Sequence, residues 1–411
     1  MVTEDILQDE RYSKIAKETR EQKKSGKVPK FGADDYSREA INKRLNWLEQ
    51  KIGKSLHKIG GCSVDPAEFK GNIENLIGTA QIPIGIAGPL KVKGQYAEGE
   101  YFVPMATTEG VLILTYEMGM KLLAISGGAS TQILSNKVHI SPFFVVNPGE
   151  EKKLSGFLAS NRSEIIRIAE STSHHLRVLD IEAHLIDNNF IVKFIYNTGD
   201  AQGLNMINNA TLAACNYIKE KISLNFFLRS HYSGVKHFST LNYQTGYGRK
   251  VIASATIPQK ILKRLRVNAI QLRDFFNACT KAGHQAGISA VNVHASNAIA
   301  AIFAACGQDL ADISSSHVCS SYCEVVNSGN DFYLQSTLHN LLIGTVGGGT
   351  GKGTQRECLE IMDCYGSGKS DKLAEIIAAT VLAGELITAA AVVNGTYVDA
   401  HNKYGRNKPK E

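Results

Sequence analysis

Hydrophobic residues along this chain keep three different rhythms. Between residues 138 and 230 the rhythm changes in a set order. An apolar run at 143–146 predicts a strand, and spacings of three and four over 154–171 predict a helix. Alternation over 176–184 and 189–196 predicts two strands joined by the turn Asp187-Asn188. Helical spacing returns at 204–222, and 224–228 reads as a last strand. Strand, helix, two strands, helix, strand is the order of a ferredoxin-like unit, here read as a domain inserted into a larger one. Residues 1–60 are polar and helical, with Ile41, Leu45 and Leu48 one helical turn apart. Residues 77–89 are too rich in Gly and Pro for a helix and read as extended chain with turns. A helix is expected within 107–133, ending at Ser126-Gly-Gly-Ala. From Arg249 onward the chain is rich in Ala, Gly and Ser and reads as mostly helical, its small residues allowing close packing. The expected fold is therefore α+β. It has a small helical N-terminal domain (1–65), a mostly helical large domain (66–137 and 231–411), and an inserted ferredoxin-like domain (138–230).

Composition narrows the function classes. A length of 411 residues exceeds one simple core, so more than one domain is expected. The net charge of +6 sits largely at the two ends, and no stripe of Lys and Arg interleaved with aromatics marks a nucleic-acid surface. The charged first twenty residues do not resemble a signal peptide, and the eight scattered cysteines are expected to be reduced thiols of a cytoplasmic protein. Cys319-Ser-Ser-Tyr-Cys323 lacks zinc-ligand spacing, so no metal is expected. The most apolar stretch, 378–393, is interrupted by Glu385 and reads as a buried helix, not a membrane span.

Four segments place one ionisable residue among small ones. Glu109, in Ala106-Thr-Thr-Glu-Gly110, is either an N-terminal helix cap or a partly buried acid with a pKa raised by desolvation. Asp309, in Ala305-Cys-Gly-Gln-Asp, is placed at a helix C-terminus, where an acid opposes the macrodipole. Lys236 sits in a Gly- and Ser-flanked loop, and His401 lies eleven residues from the chain end. Taken singly, each also has a purely structural reading. Two glycine segments, Gly199-Asp-Ala-Gln-Gly-Leu-Asn205 and Gly344-Thr-Val-Gly-Gly-Gly-Thr350, leave backbone N–H groups free at turns and suit phosphate binding. Neither is a dinucleotide fingerprint or a P-loop.

Their order along the chain changes the reading. ENLIG and IPIGIAGPL, Glu109, GDAQGLNMI, Lys236, NVHASNAIAAIFAACGQD, GTVGGGT and the late histidine together resemble the HMG-CoA reductase family. The likeness runs from about Glu74 to Arg406 and favours the class I branch, without its eukaryotic membrane anchor. It implies a thioester reduced to an alcohol by two hydride transfers from NADPH, with NADH as the alternative donor. By the same resemblance, Lys236 holds the oxyanion, Glu109 donates a proton at the aldehyde level, Asp309 bridges the two, and His401 protonates the departing thiolate. The cofactor would rest on Ser173, His174, Arg177, Asp200, Gly203, Asn205, Gly347, Gly348, Gly349 and Thr350. The substrate would meet Gln132, Arg229, His237, His294 and Asn297. A homodimer or higher homo-oligomer is implied, with an acyl-CoA or carrier-protein thioester as the partner molecule.

Departures from the family pattern cluster where the acyl carboxylate is expected. Gln132 stands for an arginine, Val235 and His237 flank Lys236 in place of Asp and Lys, and Asn277 aligns with a further lysine. Bonds to charged groups contribute roughly 1.5–3 kcal/mol each, so three losses predict two or more decades of weaker binding for a dianionic acyl group. Arg229, Lys281 and His237 are the available compensations. The expectation is a reductase for an acyl group less anionic than hydroxymethylglutaryl. A true HMG-CoA reductase and a catalytically silent CoA- or nucleotide-binding homologue are the alternatives.

Overall fold

The structure is a computed structural model that describes residues 28–405 apart from 62 and 148. The expected helical character before residue 28, Cys62 and the basic tail beyond Gly405 lie outside the described residues. Contacts divide the chain into two units, 1–81 and 82–411.

In the first unit, α1 (Arg38–Ile52) starts at Ser37, whose side chain accepts from Ala40 N, and stops at Gly53 in the left-handed conformation. Ala40, Ile41 and Arg44 form its buried stripe. Arg44 donates to the Leu76 carbonyl at 3.0 Å and to Asp35, tying a polar helix to the loop beneath it.

The second unit is organised around a sheet. Strand β1 (Ile84–Lys93) pairs antiparallel with β2 (Glu98–Ala106) and, at its end, parallel with β3 (Ala129–Ile140). Helix α2 (Leu112–Ile125) lies between β2 and β3 in sequence. The first part of β3 pairs with β8 (Gly248–Ile257), which pairs with β10 (Asp331–Leu341), and β9 (Cys319–Val326) closes that edge. Helices predominate after Arg249, as expected, but they are not the whole of that region. Three of its segments are strands, because Val251, Ala253, Ala255 and Ile257 alternate inward on β8 and Phe332 and Leu334 do so on β10.

The last residues of β3, Val138 to Ile140, pair instead with β6 (Asn189–Asn197). Beyond them β4 (Phe143–Val145), α3 (Glu151–Glu170), β5 (Arg177–Ile186), α4 (Leu204–Ile222) and β7 (Asn225–Phe227) follow in order. Across this sheet the strands run β7-β4-β6-β5, all antiparallel. They form a second hydrophobic cluster with Leu154, Ile165, Ile207, Ala214 and Ile218 from the two helices.

The longer helices that follow are α5 (Ala269–Gln285), α6 (Ala295–Ala305), α7 (Gly353–Ile361), α8 (Ser370–Val393) and α9 (Tyr397–Tyr404), with short helices at Thr240–Thr245, Gln259–Arg264 and Ile313–Ser316. By length and composition α8 passes as a membrane span, but 83% of its apolar window is buried inside the fold. It is the core helix of the larger hydrophobic cluster. Its crossing with α2 is close because glycines face each other's helix. A Cβ on Gly119 would stand 2.2 Å from the Ala383 carbonyl oxygen, and one on Gly384 would stand 2.4 Å from the Tyr116 ring. Two buried glutamates of α8 anchor loops. Glu375 accepts from Gln95, Tyr96 and Ala97 N in the β1–β2 turn. Glu385 accepts from Val293 N, His294 N and Ser321 Oγ.

Candidate active site

Lys236 occupies a tight turn after β7 and takes a positive φ of 59°. The turn is fastened from below by buried polar groups. Asn242 Nδ2 donates to the Ser233 carbonyl at 3.0 Å, Ser141 N donates to Ser233 Oγ at 2.9 Å, and His139 Nε2 contacts Asn242 Oδ1 at 3.0 Å. From this platform Lys236 Nζ donates to Asp309 Oδ2 at 2.7 Å, with both side chains partly exposed. Asp309 does not end a helix. Helix α6 stops at Ala305, and Asp309 caps the next short turn by accepting from Ala311 N at 3.0 Å. It therefore meets no unfavourable macrodipole. Burial pushes its carboxyl up, but the Lys236 ammonium, the Ala311 N–H and the Gln202 amide outweigh that and hold it below the usual range.

The segment carrying Asp309 also gathers the glycine loops. Gln308 bonds both backbone groups of Gly344, accepting from its N at 2.9 Å and donating to its carbonyl at 3.0 Å. Gly344 in turn abuts the GDAQG loop. Thr345 N donates to the Asp200 carbonyl at 2.9 Å, and a Cβ on Gly344 would stand 2.7 Å from Gln202 N. Any side chain at 344 would push the two loops apart. The Asp200 carboxylate accepts from Gly368 N, Ser370 N and Ser370 Oγ, so it secures the entry to α8. Burial raises its pKa, and the Ser370 and Gly368 bonds with nearby Arg249 more than reverse that.

Helix α4 begins at Gly203, which has φ +81° and supplies no side-chain cap. Its first-turn N–H groups are thus available to an anion. Gly347 and Gly348 are exposed with positive φ, and among the described residues nothing lies within 4 Å of where a Cβ would be. Thr350 is buried, its hydroxyl donating to the Gly347 carbonyl at 2.6 Å, which closes the turn. Ser173 comes beside the first turn of α4 through Met206, its hydroxyl 3.0 Å from the thioether sulfur. His174 and Arg177 are exposed on that side, as is Asn205.

A second cluster forms at the other end of α6. Asn297 Nδ2 donates to Glu109 Oε2 at 2.7 Å. Glu109 is exposed in this chain, not partly buried, because the loop before α2 turns it outward. His294 lies beside it. The Tyr116 hydroxyl donates to the His294 carbonyl at 2.8 Å and faces His294 Nδ1 at 2.8 Å, so Nδ1 is the protonated nitrogen. Burial lowers the His294 pKa, with Glu109 opposing and His401 reinforcing. Glu109, His294 and His401 line one cavity of about 330 Å³ together with Leu112, Ile387 and Tyr397. His401 rides on α9, which buries none of its residues, and its Nδ1 contacts the Tyr397 carbonyl at 2.9 Å.

The four expected catalytic residues thus fall into two pairs of neighbours. Among the described residues Asp309 bonds Lys236, and no hydrogen bond or ion pair links this pair to Glu109. Gln132 is exposed on β3, while Arg229 and His237 are exposed around the Lys236 turn, with His237 Nδ1 on the Val235 carbonyl at 2.7 Å. Tyr116 and Asp312 carry no signal in the sequence, Gln202 stands unremarked within GDAQG, and Glu385 shows only as a charge inside an apolar helix. No cluster of possible metal ligands occurs among the described residues.

A cation held on a carboxylate, an acid and two imidazoles at an apolar cavity, and two phosphate-suited turns make an arrangement able to polarise a carbonyl and move protons to it. Residues 40–406 match the profile of the hydroxymethylglutaryl-coenzyme A reductase family. The chain is 36% identical over 395 residues to the 3-hydroxy-3-methylglutaryl-coenzyme A reductase of Methanocaldococcus jannaschii, covering 93% of this chain and 97% of that protein. It is 37% identical over 377 residues to the Pyrococcus abyssi enzyme of the same name, covering 88% and 92%. Its fold is shared, at 18% identity and a TM-score of 0.65, with the NADPH-bound class II reductase of Streptococcus pneumoniae, over 88% of this chain and 100% of that one. This chain belongs to the hydroxymethylglutaryl-coenzyme A reductase family.

Proposed function

We propose that the protein reduces HMG-CoA to mevalonate and free coenzyme A, consuming two NADPH and two protons. The observation that carries this reading is the 2.7 Å contact of Lys236 with Asp309 beside the glycine turns. Relatives at about a third identity over most of the chain bear the name of that activity. They favour it over the less anionic acyl group expected from the sequence.

The residues present fit a dinucleotide. The uncapped start of α4, the open Gly347-Gly348 turn and the close approach at Gly344 leave room and N–H donors for a pyrophosphate. Ser173, His174 and Arg177 stand on the side suited to a ribose phosphate, and NADPH supplies hydride when bound. The cofactor would rest mainly on residues 138–230, the ferredoxin-like unit, with the larger domain around it carrying the substrate.

Lys236 holds the carbonyl oxygen as charge develops there, and Asp309 fixes the ammonium in place. His401 protonates the thiolate sulfur as the C–S bond breaks. Glu109 protonates the aldehyde-level oxygen, oriented by Asn297. His294, neutral through burial and anchored by Tyr116, presents Nε2 to the substrate. Exposed Ile84, Ile86 and Phe102 supply an apolar face for a homo-oligomer.

A second reading, a reductase for a neutral or singly charged acyl thioester, is favoured only by Gln132, Val235 and Asn277. Steady-state NADPH oxidation with HMG-CoA, set against neutral acyl-CoAs, separates the two. Saturable turnover of HMG-CoA in preference to neutral thioesters is expected. The reverse preference establishes the second reading, and silence toward every thioester removes both.

A further inference from the structure

Asp312 lies three residues beyond Asp309 and is fully buried. Its Oδ2 accepts from the Gln202 amide, while its Oδ1 has no hydrogen-bond partner among the described residues. The same amide also helps hold Asp309, whose Oδ2 takes the Lys236 ammonium. One lysine therefore heads a line of two carboxyls with a neutral amide between them. A buried carboxylate with a bare oxygen, next to a second carboxylate, is costly to ionise. Burial first and Asp309 second push Asp312 up to about 7, against the opposing pull of Lys236 and Gln202. Three titratable groups face it. They are Asp309 from its own segment, Lys236 from the turn after β7, and the buried Tyr247 phenol at the head of β8. From the GDAQG loop it meets Gln202, which is uncharged.

We propose that Asp312 is a positioning residue whose neutral form leaves Lys236 and Asp309 as an isolated ion pair, and whose ionisation weakens that pair as an oxyanion holder. With Asp312 neutral, the charges of Lys236 and Asp309 balance, and the ammonium has protons left for the substrate oxygen. With both carboxyls ionised the group is net negative, so an oxyanion forming at Lys236 is opposed by one more charge. Gln202 makes the arrangement continuous with the loop that would hold the cofactor, being next to Gly203.

This inference rests on the proposed reductase activity, so its test uses two readouts, one of which needs no turnover. Asp312→Asn keeps the size of the side chain and an acceptor for Gln202. The first readout is the unfolding midpoint of wild type and variant across pH. A carboxyl raised in the folded state binds its proton more tightly there than in the unfolded chain. Wild type therefore loses stability relative to D312N as pH rises from about 4 to about 7, and loses no more above it. The second is kcat for thioester reduction against pH. Wild type carries a fall of about tenfold centred near pH 7, as the extra negative charge on Asp312 opposes the oxyanion. D312N lacks that fall, whatever its absolute rate. Gln202→Leu, which removes the amide that favours the ionised carboxylate, moves the fall to higher pH. A stability difference that stays flat across pH overturns the proposal, as does a fall that persists unchanged in D312N. Wild type without turnover toward any thioester, but with the stability difference present, removes the reductase reading instead.

Discussion

The two ends of the site are built to different standards of rigidity. At the Lys236 end almost every neighbour is locked from beneath. Asn242, Ser141 and His139 fix the turn, Ala311 fixes Asp309, and Gln308 staples the segment to Gly344. At the His401 end, Glu109 is exposed with one bond to Asn297, and α9 buries no residue of its own. The difference follows from the work proposed for each. A group that stabilises charge must be in place before the charge develops, since rearranging it during the reaction would use up the benefit. A proton donor at the mouth of a cavity must also let a bulky product leave, which favours a mobile mount.

That contrast can be broken by substitution. Lys236→Met should cost roughly a thousandfold in kcat, the upper range for loss of one oxyanion donor, while NADPH affinity measured by fluorescence stays close to wild type. Glu109→Gln should cost roughly a hundredfold in the overall reaction, typical of one lost general acid. Gly344→Ala puts a Cβ 2.7 Å from Gln202 N and 3.1 Å from the Asp200 carbonyl oxygen. It should lower denaturant stability by about 1–3 kcal/mol, with NADPH binding weakened as the loops part. His401→Gln should have the smallest effect, no more than roughly a hundredfold, the lower end for a general acid, because a thiolate leaves readily without help. An H401Q loss as large as that of K236M would contradict the comparison.

Much of this was legible in the sequence, and the omissions have physical causes. The span of α4, 204–222, could be read to the residue because Ile207, Ala214 and Ile218 keep a clean helical spacing around Cys215. Strand β8 could not be recognised, since its inward positions include Ala253 and Ala255 and its outward ones Ser254 and Thr256. Small residues of that kind fit a packed helix as well as a strand. Asp309 is recognisable, but the helix expected before it is four residues too long, since Gly307, left-handed at φ 65°, already stops the chain after Ala305. Glu385 was seen as a charge in an apolar run. Its purpose depends on Val293, His294 and Ser321, residues brought to it only by the fold. Gln202 stood in a glycine segment and Asp312 lay three residues beyond Asp309, yet a carboxyl and an amide 110 positions apart carry no joint signal in one sequence. Residues 138–230 are the easiest region to read because their elements alternate in type. The larger sheet is harder, since its strands are collected from three separate stretches of chain.

The central claim is that this chain reduces HMG-CoA with Lys236 on Asp309 as its oxyanion holder. The most direct measurement is a single-turnover mixing of enzyme, NADPH and HMG-CoA, run side by side for wild type and Lys236→Met. The account predicts that wild type oxidises two NADPH for each HMG-CoA consumed. K236M should bind NADPH as tightly but oxidise it roughly a thousandfold more slowly. Equal rates in the two proteins would contradict the account, as would a wild type that binds both ligands and oxidises nothing.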